Sequence, residues 1–192
     1  MSTLYFETSA FIKLLIDEAG SGTALAAWAG GSQMTASPLL FVEARAGLAA
    51  AQRGRRMTAE DLVAAKREFG ALRVHFYQVQ LDSALLAHAE ELAEREALRG
   101  YDAVHLASAL LAEVDALITA DAALIDAAQR RGLMVIDARS GIADRGADAL
   151  AAAGRIGPEL AAALKAEARR RVEANAFYGH VAYTNLTAQK PA

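Results

Sequence analysis

Apolar positions along the chain switch repeatedly between two spacings, and the switching predicts strands that alternate with helices. Leu4–Phe6 is a short apolar run, whereas Phe11, Ile12, Leu14 and Leu15 recur at helical spacing, so a strand feeds a helix over Ser9–Asp17 that ends at Gly20 and Gly22. An Ala-rich helix carrying Trp28 follows, then Met34–Ala36 as a second strand. Ser37 and Pro38 start the next helix, because proline lacks an amide hydrogen that the first turn leaves unpaired anyway; this helix runs over about Pro38–Arg53. Thr58 with Glu60 and Asp61 opens another helix, Val74–Val79 is rich in strand formers, and Ser83–Leu98 is strongly helical. After Gly100, the segment YDAVHLASALLAE has an apolar stripe at Val104, Ala107, Leu110 and Leu111, and Ala116–Thr119 reads as a buried strand. Asp121–Arg131 is the next helix, closed by Gly132, and Leu133–Ile136 is a last short strand with Asp137 at its end. This alternation predicts an α/β fold in which helices cover both faces of a parallel sheet.

Composition narrows the chemistry. A chain of 192 residues with 54% apolar residues suits one compact domain with a small appendage. Neither a long uncharged apolar run nor a basic amino-terminal segment is present, so a soluble cytoplasmic protein without a membrane span is expected. With no cysteine, any metal must be held by Asp, Glu or His, which suits hard cations such as Mg²⁺ or Mn²⁺. The net charge of −3 is uneven: residues 1–140 carry 13 Lys and Arg against 18 Asp and Glu, whereas residues 141–192 carry 7 against 5. A boundary near 140 follows, with residues 1–139 as the domain and 140–192 as an extension, part helical and part disordered.

Four carboxylates stand out by position: Glu7 after the first strand, Glu43 early in the helix that begins near Pro38, Asp102 at a helix start, and Asp121 just past ALIT. In a doubly wound sheet such places converge above the carboxyl edge of the strands. Acids gathered there repel one another unless a divalent ion neutralises them, so their convergence is a metal hypothesis. Each acid alone has a blander reading, as a first-turn partner of a helix dipole, an N-cap or a helix-surface group.

The segments LYFETSAFIKLL, SPLLFVEARAGL, YDAVHLASAL and LITADAALIDAAQRRGLMVI, in that order over about residues 3–137, resemble the PIN-domain ribonucleases, and within them the VapC-type toxins of bacterial toxin–antitoxin systems. The resemblance implies a PIN-like three-layer α/β/α fold with a central parallel sheet of about four to five strands. It implies a Mg²⁺ or Mn²⁺ cofactor, endonucleolytic cleavage of RNA, a cognate antitoxin protein as partner and a homodimer. Carried over by position, it makes Glu7, Glu43, Asp102 and Asp121 the catalytic and metal-binding quartet, with Thr8, Ser9 and Thr119 able to hydrogen-bond the carboxylates or the scissile phosphate. The family's first acid is ordinarily Asp; here it is Glu7, whose carboxylate reaches about 1.5 Å further, one C–C bond. A ligand that overshoots must bend back or bind through water, and on that geometry Glu7→Asp is expected to cut faster. The second reading is a catalytically weakened PIN-like module that binds RNA or protein.

Other residues add less. His105, three positions after Asp102 on an apolar helix, reads as a core or rim histidine making a hydrogen bond rather than as a metal ligand. Trp28 and Phe41 read as core. Arg53, Arg55 and Arg56 form a basic turn that, with Lys13 and Arg99, is the best set of cations for holding a phosphodiester backbone.

Overall fold

A computed structural model describes residues 2–139 and position 162. The expected extension, residues 140–192, therefore lies almost wholly outside the described residues. Five parallel strands form one sheet in the order β3-β2-β1-β4-β5: β1 is Thr3–Phe6, β2 Gln33–Ala36, β3 Phe76–Gln78, β4 Ala116–Thr119 and β5 Val135–Asp137. The chain steps outward from β1 to β3, then returns to place β4 on the other side of β1. That reversal is the switch point at which open α/β sheets leave a crevice beyond their carboxyl ends.

The helices are α1 (Thr8–Ile12), α2 (Ser21–Gly30), α3 (Leu39–Arg53), α4 (Ala59–Arg73), α5 (Ser83–Glu96), α6 (Gly100–Leu111) and α7 (Ala122–Arg130). Strand alternation divides the core between the two faces of the sheet. Leu4 and Phe6 point to the side of α1–α4, where Phe6, Phe11, Phe41, Phe69 and Phe76 meet edge to face with partly buried Trp28 beside them. Tyr5 points to the other side, among Leu85, Leu92, Leu106, Leu117 and Leu124 and the alanines of α6 and α7.

Local signals explain most element ends. Thr58 and Asp61 form a reciprocal capping box at α4, and the Asp82 and Asp121 side chains accept the Leu85 and Leu124 amides at α5 and α7. The first helix is shorter than its periodicity predicts. The amides of Lys13, Leu14 and Leu15 bond three residues back, a tightened turn that releases the chain, and Lys13 then turns inward to Glu18 and the Ala19 carbonyl. At Gly20 the backbone takes φ +93°, and a Cβ there would stand 1.8 Å from the Ala138 carbonyl oxygen, so only glycine passes between α2 and the chain after β5.

Candidate functional site

The carboxyl ends of β1 and β4 adjoin in the sheet, and each is followed at once by an acid and a helix. After β1, Glu7 is buried and caps α1 itself: its Oε2 accepts the Ser9 amide at 3.0 Å and the Ser9 hydroxyl, and the Thr119 hydroxyl donates to the same oxygen at 2.7 Å. The extra methylene thus lets the carboxylate bend back over its own helix start. After β4, Asp121 caps α7 through Oδ1, and its amide donates to Thr119 Oγ1. Thr119 therefore links the acids of two adjacent strands.

The other two acids arrive on helices. Glu43 stands in the second turn of α3, and its Oε2 accepts from Thr8 Oγ1 at 2.7 Å and from His105 Nε2 at 2.8 Å. Burial pushes this carboxyl up, but the hydrogen bonds from His105 and Thr8, with the charge of Arg99, outweigh it and hold the group below the usual carboxylate range. Asp102, in the first turn of α6, is buried at 8% exposure beneath Arg99.

Arg99 binds the quartet together electrostatically. Its Nε donates to Asp102 Oδ2 at 2.7 Å and its Nη2 to Asp121 Oδ2 at 2.8 Å, although the side chain is 77% exposed. The hydrogen bond to Asp102, then the charges of Asp102, Asp121 and Glu7, raise the guanidinium further above its ordinary range. The same cation lowers Glu43. One positive charge thus lies within reach of all four acids.

The donor set suits a hard divalent cation, being all carboxylate oxygen. Among the described residues no three His, Asp or Glu groups converge on one point as they stand, and Arg99 bridges Asp102 and Asp121. Glu7 Oε1, Glu43 Oε1 and Asp102 Oδ1 make no hydrogen bond among the described residues. Nor are they sealed from water, since Thr35 Oγ1 is the one buried side-chain oxygen there without a partner. Each of these acids therefore keeps an oxygen to offer an ion, and Arg99 already marks where positive charge is favourable.

The expected helpers divide. Thr8, Ser9 and Thr119 each hydrogen-bond a site carboxylate. Lys13 is buried against Glu18 and is no free cation. The exposed turn of Arg53, Arg55 and Arg56 begins ten residues beyond Glu43 on α3, about 15 Å along the helix axis, and Arg55 and Arg56 line a separate groove with Met57, Thr58 and Asp61. Two residues emerge that the spacing of acids did not single out: Tyr5, whose buried hydroxyl must find a partner, and His105 in its role beneath Glu43. A tyrosine in an otherwise apolar strand was the available signal.

Comparison with known proteins places these features in context. The PIN domain family profile matches residues 4–130. Over 120 residues the chain is 42% identical to Ribonuclease VapC45 and, equally, to Ribonuclease VapC49, both of Mycobacterium tuberculosis, covering 62% of this chain and 83% of each relative. Among solved structures, PAE2754 from Pyrobaculum aerophilum superposes with a TM-score of 0.53 at 19% identity, over 70% of this chain and 90% of that one. The M. tuberculosis sarcin-ricin loop cleaving toxin VapC20 gives 0.50 at 22% identity, over 65% and 94%. FitAcB from Neisseria gonorrhoeae gives 0.52 at 13%, over 70% and 96%. At these identities the structures speak for the fold alone.

Proposed function

The chain belongs to the PIN domain family, and from that premise we propose that it is a VapC-type toxin endoribonuclease whose site is the quartet Glu7, Glu43, Asp102 and Asp121 at the switch point of the sheet. The observation that carries this assignment is the electrostatic one: four acids from β1, α3, α6 and the end of β4 act on a single guanidinium. A cluster built for structure alone would be expected to bury its own counter-charge, whereas Arg99 reaches in from solvent and is free to withdraw. The likeness to two ribonucleases over most of their length favours catalysis over the binding-module reading.

The mechanism follows from what these residues can do. Glu7, Asp102, Asp121 and Glu43 would hold Mg²⁺ or Mn²⁺. When bound, such an ion supplies an acidified water and offsets the charge on a phosphodiester. Ser9 and Thr119 fix the Glu7 carboxylate by its Oε2, and Thr8 does the same for Glu43, so each keeps one oxygen aimed by the other. Arg99, released from Asp102 and Asp121, is the cation nearest the site for a phosphate oxygen. Arg53, Arg55 and Arg56 are too distant for the scissile group but could hold flanking backbone.

The reading brings with it an RNA substrate, a cognate antitoxin protein, a homodimer and a cytoplasmic setting, with residues 1–139 as the catalytic domain and 140–192 as an extension. No helix of the described residues is long and apolar enough to cross a membrane. The test is cleavage of RNA by the full chain with Mn²⁺ or Mg²⁺, beside EDTA and Asp102→Asn. Cleavage that requires the ion and falls at least a hundredfold in the variant is expected. Cleavage unaffected by both would refute the assignment.

A further inference from the structure

Beneath Glu43 runs a buried chain of hydrogen bonds that the carboxylate chemistry does not itself require. Strand alternation sends Tyr5 away from Phe6 and into the α6 side of the sheet, where its ring meets His105 edge-on at 5.9 Å. Both side chains are wholly buried. The Ser37 amide, at the turn from β2 into α3, donates to the Tyr5 oxygen at 2.9 Å, and the Tyr5 hydroxyl lies 2.9 Å from His105 Nδ1. The Glu43 carboxylate can only accept, so the neutral imidazole donates to it from Nε2, which leaves Nδ1 as the acceptor and the phenol as its donor. The imidazole proton then stands on Nε2, which points at Glu43 Oε2 at 2.8 Å.

Every polar atom along this path has a partner, and the path joins three elements that carry site acids: β1 before Glu7, α3 with Glu43, and α6 with Asp102. Thr8 adds a second donor to the same Oε2. One oxygen of Glu43 is therefore pinned from below by two donors, and the carboxylate can rotate no further without breaking both. A buried imidazole kept merely for packing would not need its proton held at one nitrogen by a tyrosine that is itself fixed by a backbone amide.

We propose that Tyr5 and His105 are positioning residues of the reaction, a relay running from the Ser37 amide through the phenol and imidazole to Glu43 that locks Oε2 and leaves Oε1 to serve the site. The inference rests on reading Glu43 as a site acid. It makes opposite demands on two amide substitutions of the same histidine. In His105→Gln the amide nitrogen reaches the place of Nε2 and keeps the bond to Glu43. In His105→Asn the shorter amide keeps the place of Nδ1, and with it Tyr5, but cannot reach Glu43.

The experiment measures RNA cleavage and calorimetric Mn²⁺ affinity in the full chain for wild type, both His105 variants and Tyr5→Phe. A loss of about 10–100-fold in affinity or kcat is expected for His105→Asn with little change in KM, most of it recovered in His105→Gln, and a smaller loss for Tyr5→Phe. In a Glu43→Gln background, neither His105→Asn nor Tyr5→Phe should weaken Mn²⁺ binding further, because the relay acts only through Glu43. Equal losses in the Asn and Gln variants, or a full additional loss in the Glu43→Gln background, would overturn the relay while leaving the ribonuclease reading intact. Should His105→Asn not melt cooperatively, the Tyr5→Phe and Glu43→Gln pair decides alone. A wild type that neither binds Mn²⁺ nor cuts RNA overturns both readings.

Discussion

Glu7 is one methylene longer than aspartate, and its surroundings use that length. Three donors, the Ser9 amide and the Ser9 and Thr119 hydroxyls, meet its Oε2, and all three come from elements that cannot follow a retreating carboxylate. Shortening the side chain withdraws the group by about 1.5 Å, enough to break at least the Thr119 bond. The geometry therefore reverses the sign expected from family resemblance alone: Glu7→Asp should cut more slowly, by about 10–100-fold in single-turnover assays, with the Michaelis constant little changed. Faster cleavage would mean that the curled-back arm is a handicap rather than part of the site. At this scale the sequence revealed which acids to suspect, because strand ends and helix starts are legible from hydrophobic spacing. It did not reveal their partners. That Arg99 rather than Lys13 reaches the acids depends on which way two long side chains turn, and that is decided by tertiary contacts between segments far apart in the chain.

Elements were easier to read where a cap or a glycine marks the boundary than where packing does. The capping box at Thr58 and the aspartate cap of α7 are written locally, and those helices begin where expected. The end of α1 is not, because its apolar residues continue through Leu15 while the backbone has already tightened and turned. Val74, which its strand-forming neighbours place in a strand, likewise closes α4, and the strand proper begins at Phe76. One contact between elements makes a pH prediction. Glu96, at the end of α5, accepts from Arg130 and Arg131 at the end of α7, and those two hydrogen bonds, followed by the arginine charges, hold its carboxyl below the usual range. A carboxyl lowered in the folded state stabilises the fold above its unfolded value, near 4.3 for glutamate, and that contribution disappears as pH falls through the lower folded value. The melting temperature of Glu96→Gln should accordingly lie slightly below wild type at pH 7, with the gap closing below about pH 4. A gap that persists unchanged at pH 3 would mean that the contact acts by packing and not by charge.

For the molecule as a whole, the order of strands matters more than any one helix. Placing β4 beside β1 puts Glu7 and Asp121 on neighbouring strand ends, and the helices that follow β2 and α5 bring Glu43 and Asp102 over the same edge. The alternation of strands and helices predicted the parallel sheet, but not the pairing of β1 with β4, because order in a sheet is a long-range property that no local spacing records. That pairing gathers negative charge at one edge, and Arg99 is the fold's own answer to it. If the edge is a cation site, Arg99 and a divalent ion compete for it, and removing the arginine must have the opposite effect to removing an acid. The most direct measurement is a calorimetric titration of Mn²⁺ into wild type, Asp102→Asn and Arg99→Gln. Binding should weaken sharply in Asp102→Asn and tighten in Arg99→Gln, at the same stoichiometry as wild type. Equal affinities in all three proteins would contradict that competition.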